Sequence, residues 1–197
     1  MRATRWAVSI VATLTCLAQN PVVIENGWVR VVRAANIPGQ LSRPHVHLIN
    51  RVMIHLDRGT LRIDNKETGV AKDIPFRAGE VRWDPRVGLH TSENIGGTAI
   101  RIVEIELNDN PPRDATSKAN VKLGAPAARF KTDMENAQVR ILRTTLQPKE
   151  QPRDTNFATP VVAVRLSDGE TSWRPANAPA VANELDQASE WIFVELK

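Results

Sequence analysis

The sequence predicts an all-β protein, a sandwich or barrel built from short strands. Short apolar stretches recur with turn residues between them, several alternate polar with apolar residues, and 13 prolines and 10 glycines punctuate the 197-residue chain. Alternation with a period of two marks a half-buried strand, and evenly spaced short strands indicate a sandwich or barrel. In the first half the stretches are 28–32, 46–56, 60–63, 80–83 and 99–107. In 46–56 one parity holds Val46, Leu48, Val52, Ile54 and Leu56, the expected apolar face of a wall covered by a second sheet or subunit. In Arg101-Ile102-Val103-Glu104-Ile105-Glu106-Leu107, charged and apolar groups trade places along the strand. Beyond residue 20, the single stretch with any helical character is 180–189.

Hydrophobic residues make up 42% and charged residues 24%, ordinary values for a globular chain rather than a disordered one. A chain of this size buries roughly 70% of the surface it exposes when unfolded, enough for a real core. The net charge is +4. Two of those charges are Arg2 and Arg5, and the other arginines alternate with apolar residues without forming a basic block. Nucleic acid is therefore not an expected partner.

Residues 1–18 read as an export signal: basic Arg2 and Arg5, an apolar run from Trp6 to Leu17, and small Ala18 before Gln19-Asn20. The run is too short to span a bilayer comfortably, so no stable membrane span is expected after cleavage, with an uncleaved membrane anchor as the alternative. The expected location is the periplasm or the exterior. Cys16 is the one cysteine, so the processed chain would have no disulfide, thiolate metal site or cysteine nucleophile.

The sequence repeats internally. ENGWVRVVR (25–33) and ENAQVRILR (135–143) share five of nine residues at an offset of 110, which continues through Pro38/Pro148, Leu56/Leu166 and Gly59/Gly169. The register then jumps: Gly79-Glu80 and Trp83 match Gly169-Glu170 and Trp173 at offset 90, and Asn94 and 105–107 match Asn183 and 194–196 at offset 89. A duplicated unit whose second copy lost about twenty residues, equivalent to 59–78, accounts for this. The expected organisation is a site-bearing unit at 21–109, a linker at 110–128 rich in Pro, Asn, Asp and Ala, and a degenerate, structural copy at 129–197. Losing 59–78 should expose a sheet edge that the first copy or another chain must cover.

Four histidines carry the chemistry: His45, His47, His55 and His90. On a strand, His45 and His47 share a face. Two imidazoles from one strand and a third from another would form a metal site with positions open to water or substrate. H-x-H pairs also occur on solvated strands. The wider pattern is Gly39-x5-His45-x-His47-x11-Gly59, followed by Gly79-x5-Pro85-x2-Gly88-x-His90-x3-Asn94. It resembles the two motifs of the cupin superfamily, G-x5-H-x-H-x3,4-E-x6-G and G-x5-P-x-G-x2-H-x3-N, over about 22–109 and weakly over 130–197. The resemblance implies a double-stranded β-helix, or jelly roll, in two copies with the second truncated. It also implies one divalent metal (Fe, Mn, Ni or Zn) on His45, His47 and His90, with Pro85 and Gly88 shaping the turn before His90.

The chain departs from that pattern at Arg51, which stands where the glutamate ligand is expected. Two unit charges 4 Å apart interact by about 4 kcal/mol at an effective dielectric of 20, and a divalent ion doubles the repulsion. Three roles for Arg51 follow: swinging to the barrel mouth beside a three-histidine site, gripping an anion in a metal-free pocket, or pairing with Glu80 or Asp84. His55 shares parity with Arg51 and is a second candidate ligand-binding residue, although packing accounts for a lone histidine equally well. Trp83 recurs as Trp173 without histidines nearby and reads as packing. At the corresponding positions the second copy carries Thr155, Phe157 and Val161, none of them a metal-site residue.

No G-x-S-x-G, H-E-x-x-H, phosphate-binding glycine loop or tyrosine is present. The leading expectation is an exported protein that binds a small anionic molecule in its first barrel, with or without a weakly held metal. A metal-dependent enzyme of dioxygenase or isomerase type, and a non-catalytic assembly module, are the alternatives. A homodimer formed through a sheet face is a further expectation.

Overall fold

The computed structural model describes residues 20–112, 123, 125–152 and 156–197. The expected export signal with Cys16, much of the expected linker, and Thr155 lie outside them. Among the described residues the regular elements are all strands, and no helix is long and apolar enough to cross a membrane. They run β1 (Val22–Glu25), β2 (Val29–Asn36), β3 (His45–His47), β4 (Arg51–His55), β5 (Gly59–Asn65), β6 (Val70–Phe76), β7 (Val81–Asp84), β8 (Val87–Asn94) and β9 (Ile100–Leu107) in the first half. The second half holds β10 (Lys131–Glu135), β11 (Val139–Leu146), β12 (Val161–Arg165), β13 (Thr171–Arg174) and β14 (Ser189–Leu196).

Three antiparallel sheets result. The first half forms a five-stranded sheet ordered β1-β2-β9-β4-β7 and a four-stranded sheet ordered β3-β8-β5-β6. The second half forms one five-stranded sheet, β10-β11-β14-β12-β13, which repeats the order of the first strand for strand. Among the described residues the four strands of the smaller sheet have no counterpart sheet in the second half, and an isolated bridge between Asn156 and Pro179 stands near the place of the β3–β8 pair. β5 and β6 both fall within 59–78, the segment whose absence shifts the sequence register.

The two large sheets pack face to face over one apolar core. Val29, Val31, Val52, Ile54, Val103 and Ile105 from the first meet Val139, Ile141, Val162, Val164, Ile192 and Val194 from the second. Alternation explains the selection: every second residue of β4 and β9 points into this core, and the residues between point into the barrel. Trp83 and Trp173 both pack on its rim. The apolar sheet face is thus covered within the chain, by the second half. The opposite face of the second sheet is closed by side chains from loops, with Phe157 and Val181 packed on Leu142, Trp191 and Phe193.

Two sequence expectations are corrected. Residues 46–56 are not one strand: β3 lies in the small sheet and β4 in the large one. Val46 and Leu48, 45% and 74% exposed, are therefore outside the core that Val52 and Ile54 share. The stretch 180–189 is irregular up to β14 rather than helical, because Asn183 ties its backbone down through side-chain bonds. β6 completes a hairpin with β5 inside 59–78, and β8 is the strand that carries His90, although neither has a clean apolar alternation.

Candidate metal and ligand site

The barrel of the first half closes between the inner face of the large sheet and the small sheet. Two strand crossings set its polar end. In the small sheet His45 is registered opposite His90 and His47 opposite Val87, with a bulge between them. In the large sheet Arg51 is registered between Asp84 on β7 and Glu106 on β9. The ring centroids of His45 and His90 are 4.4 Å apart, those of His45 and His47 4.9 Å, and those of His47 and His90 5.3 Å. One ring nitrogen from each lies within 4.8 Å of the others. The three expected metal residues converge.

Their protonation suits ligation. His45 Nδ1 is 2.8 Å from the Arg43 carbonyl and His90 Nδ1 is 2.8 Å from the Gly88 carbonyl. A carbonyl only accepts, so each Nδ1 carries the hydrogen and each Nε2 presents a lone pair. Such outer bonds fix the tautomer of metal-ligating histidines. Burial, reinforced by Arg51 and the neighbouring imidazoles, lowers the His47 pKa to about 3. Burial also lowers that of His90, against the pull of the Gly88 carbonyl. A Cβ at Gly88 would meet the Glu67 carboxylate at 2.5 Å, the end of an exposed side chain that would have to swing aside.

Arg51 is buried and takes the ion-pair role with Asp84, not Glu80. Its Nε donates to Asp84 Oδ2 at 2.8 Å, Nη2 reinforces that pair, and Nη1 lies 3.3 Å from Glu104 Oε2. Glu80 binds Arg82 instead. Nη1 also lies against both ring nitrogens of His47. A guanidinium only donates, so it meets a His47 lone pair that an ion would need. Asp84 and Glu104 together supply as much negative charge as Arg51 supplies positive, or more, which leaves no surplus cation for an anion. Glu104 was not singled out from the sequence. It shares the barrel face with Ile102, and burial, opposed by Arg51, raises its pKa.

His55 lies further in, lining the same cavity. Its ring stacks on Phe76 with centroids 4.0 Å apart, and its Nδ1 is 3.3 Å from the Glu80 carbonyl. Burial lowers its pKa. The cavity measures about 220 Å³ and joins this polar end to walls formed by Met53, Leu61, Ile63, Ile74, Phe76 and Ile102.

No family model matches the sequence, and no curated protein is significantly similar to it. Solved structures are similar in fold. AerE from Microcystis aeruginosa matches at a TM-score of 0.57 and 12% identity, over 86% of this chain and 88% of that one. A cupin 2 conserved barrel domain protein from Leptotrichia buccalis matches at 0.53 and 10% identity, over 91% and 88%. The chain has the cupin fold. YhaK from Escherichia coli has a TM-score of 0.51 and 14% identity, over 85% of each chain. These matches extend across both halves, so the cupin likeness includes the second sheet as well as the barrel. The imidazole cluster sits inside the cupin barrel of the first half, and the second half carries no histidine.

Proposed function

We propose that the first barrel binds a small anionic molecule with the help of one divalent metal held by His45, His47 and His90. The observation that carries this reading is the pairing of His45 and His90 Nδ1 with backbone carbonyls, which leaves Nε2 of each turned to ligation beside a neutral His47. The donor set fits the group once Arg51 Nη1 gives up the His47 lone pair it meets: three imidazoles suit iron, manganese, nickel or zinc and leave coordination positions open. When bound, the ion would supply positive charge and Lewis acidity at the barrel mouth. The chain's own residues then have separate tasks. Arg51, tied to Asp84 and Glu104, limits how tightly the ion is held. The apolar walls exclude water behind it. His55 fills the inner end as a neutral ring.

The balance of charge around Arg51 disfavours the metal-free anion pocket, because its guanidinium is already neutralised. We propose further that the chain is exported, on the pattern of residues 1–18, and that 21–109 and 129–197 are two copies of one unit, the second structural. The matching sheet orders support duplication. Whether the site is catalytic turns on the metal, since an open three-histidine ion could serve an enzyme of dioxygenase or isomerase type. Elemental analysis of untagged protein purified without chelator tests the reading. Near-stoichiometric metal that disappears in His45→Ala and His90→Ala supports it; wild-type protein with no metal after incubation with zinc or iron(II) overturns it.

A further inference from the structure

The barrel interior is polarised along its axis, and both sheets show the same gradient. On the large sheet, the inward residues of β4 are Arg51, Met53 and His55, registered against Glu106, Glu104 and Ile102 of β9. On the small sheet, His90 is registered against Asn65, Ser92 against Ile63, and Asn94 against Leu61, which in turn faces Ile74. Moving inward from the histidine cluster, the lining becomes mostly apolar at Leu61, Ile74, Phe76 and Ile102, with His55 registered against Ile102 and the Arg82 guanidinium 5.7 Å from the Phe76 ring. Four residues of strand separate the level of His90 from that of Leu61, roughly 13 Å at 3.3 Å per residue.

Resting on the reading of this barrel as an anion site, we propose that its ligand is a monocarboxylate with a compact apolar tail, head at the histidines and tail against Leu61, Ile74 and Phe76. A sugar acid or a dicarboxylate is a poor fit. Its inner hydroxyls or second carboxylate would be buried largely against aliphatic side chains, because Arg82, the cation that also lines this end, is already bound to Glu80 and to the Pro75 carbonyl. The one polar ring at that end, His55, is neutral and stacked on Phe76. Size narrows the class further. A cavity of about 220 Å³ is small beside ordinary ligand pockets, which favours a short tail.

The test is calorimetric titration of zinc-loaded, full-length protein with acetate, butyrate, hexanoate, decanoate and gluconate. Affinity should rise about fourfold per added methylene up to hexanoate and fall by decanoate, with gluconate no tighter than acetate. Ile74→Phe, which fills the inner end with another apolar group, should move the optimum to a shorter acid. Equal binding of all chain lengths by zinc-loaded protein, or tighter binding of gluconate, overturns the tail site while leaving the metal reading intact. If the protein takes up no metal, that reading falls, and the same series on chelated protein decides the tail site: a chain-length dependence supports it and a flat series overturns it.

Discussion

Arg51 and Asp84 are registered partners on β4 and β7, joined by a bond of 2.8 Å from Arg51 Nε to Asp84 Oδ2. The pair holds a guanidinium beside His47, at a position where cupin barrels are expected to offer a carboxylate. Replacing Arg51 with Met separates the two consequences. Asp84 and Glu104 would lose their cation in a mostly buried setting, which should cost about 2–3 kcal/mol, Asp84 being partly solvated. Repulsion of a divalent ion would vanish at the same time, so zinc affinity should rise by about tenfold or more. Denaturant unfolding and competition with a chromophoric chelator measure these separately. Unchanged zinc affinity would mean that Arg51 exerts no control over the histidines.

His55 gives the barrel a dependence on pH. Burial holds its imidazole below the ordinary value of 6.5, so the unfolded chain takes up the proton first. Stability is therefore intact above about pH 6.5 and is lost as pH falls towards the folded-state value. The slope cannot exceed about 1.4 kcal/mol per pH unit for one site. His55→Asn retains an N–H that can face the Glu80 carbonyl and removes the titration. Urea midpoints at pH 7 and pH 5 should differ less in the variant than in the wild type. Equal losses in both proteins would show that His55 does not carry this dependence.

Asn94 and Asn183 hold equivalent loops in the two halves. Asn94 Nδ2 donates to the Asn36 and Thr98 carbonyls, both at 2.8 Å. Asn183 Nδ2 lies within bonding distance of the Leu146, Gln147 and Gln187 carbonyls. Both side chains are almost wholly buried, so truncation leaves carbonyls without a donor. Asn94→Ala and Asn183→Ala should each cost about 2–3 kcal/mol. Thermal and urea unfolding check this, and a loss below about 0.5 kcal/mol for either would remove that residue from the framework.

The histidine spacing, the strand alternation and the offset of 110 made the barrel, its large sheets and the His45–His47–His90 convergence legible in the sequence. What stayed hidden depended on pairing between distant strands. Glu104 sits on a visible alternation, yet only the register of β9 against β4 places it beside Arg51. Val46 and Leu48 have the right parity for the shared core, but the chain changes sheet between His47 and Arg51, and parity means nothing across such a crossing. The choice of Asp84 over Glu80 as the partner of Arg51 was open for the same reason. β7 could be recognised as a strand, but its register against β4 was needed to choose.

Gly169 and Leu56 meet where the two halves pack, and the contact has a counterpart between Gly79 and Leu166. Both glycines have φ near +75°, and a Cβ on Gly169 would lie 2.6 Å from Leu56 Cδ1, whereas one on Gly79 would lie 3.3 Å from Leu166 Cδ1. Gly39 is a control, with φ of +70° and open space around its Cα. Alanine at position 39 should cost only the left-handed backbone penalty, about 1 kcal/mol. Alanine at 169 adds a clash with a buried leucine and should cost about 2–3 kcal/mol in total. Chemical denaturation of Gly39→Ala, Gly79→Ala and Gly169→Ala should rank them in that order of increasing loss. Equal losses at 39 and 169 would mean that the two sheets do not approach each other closely at this point.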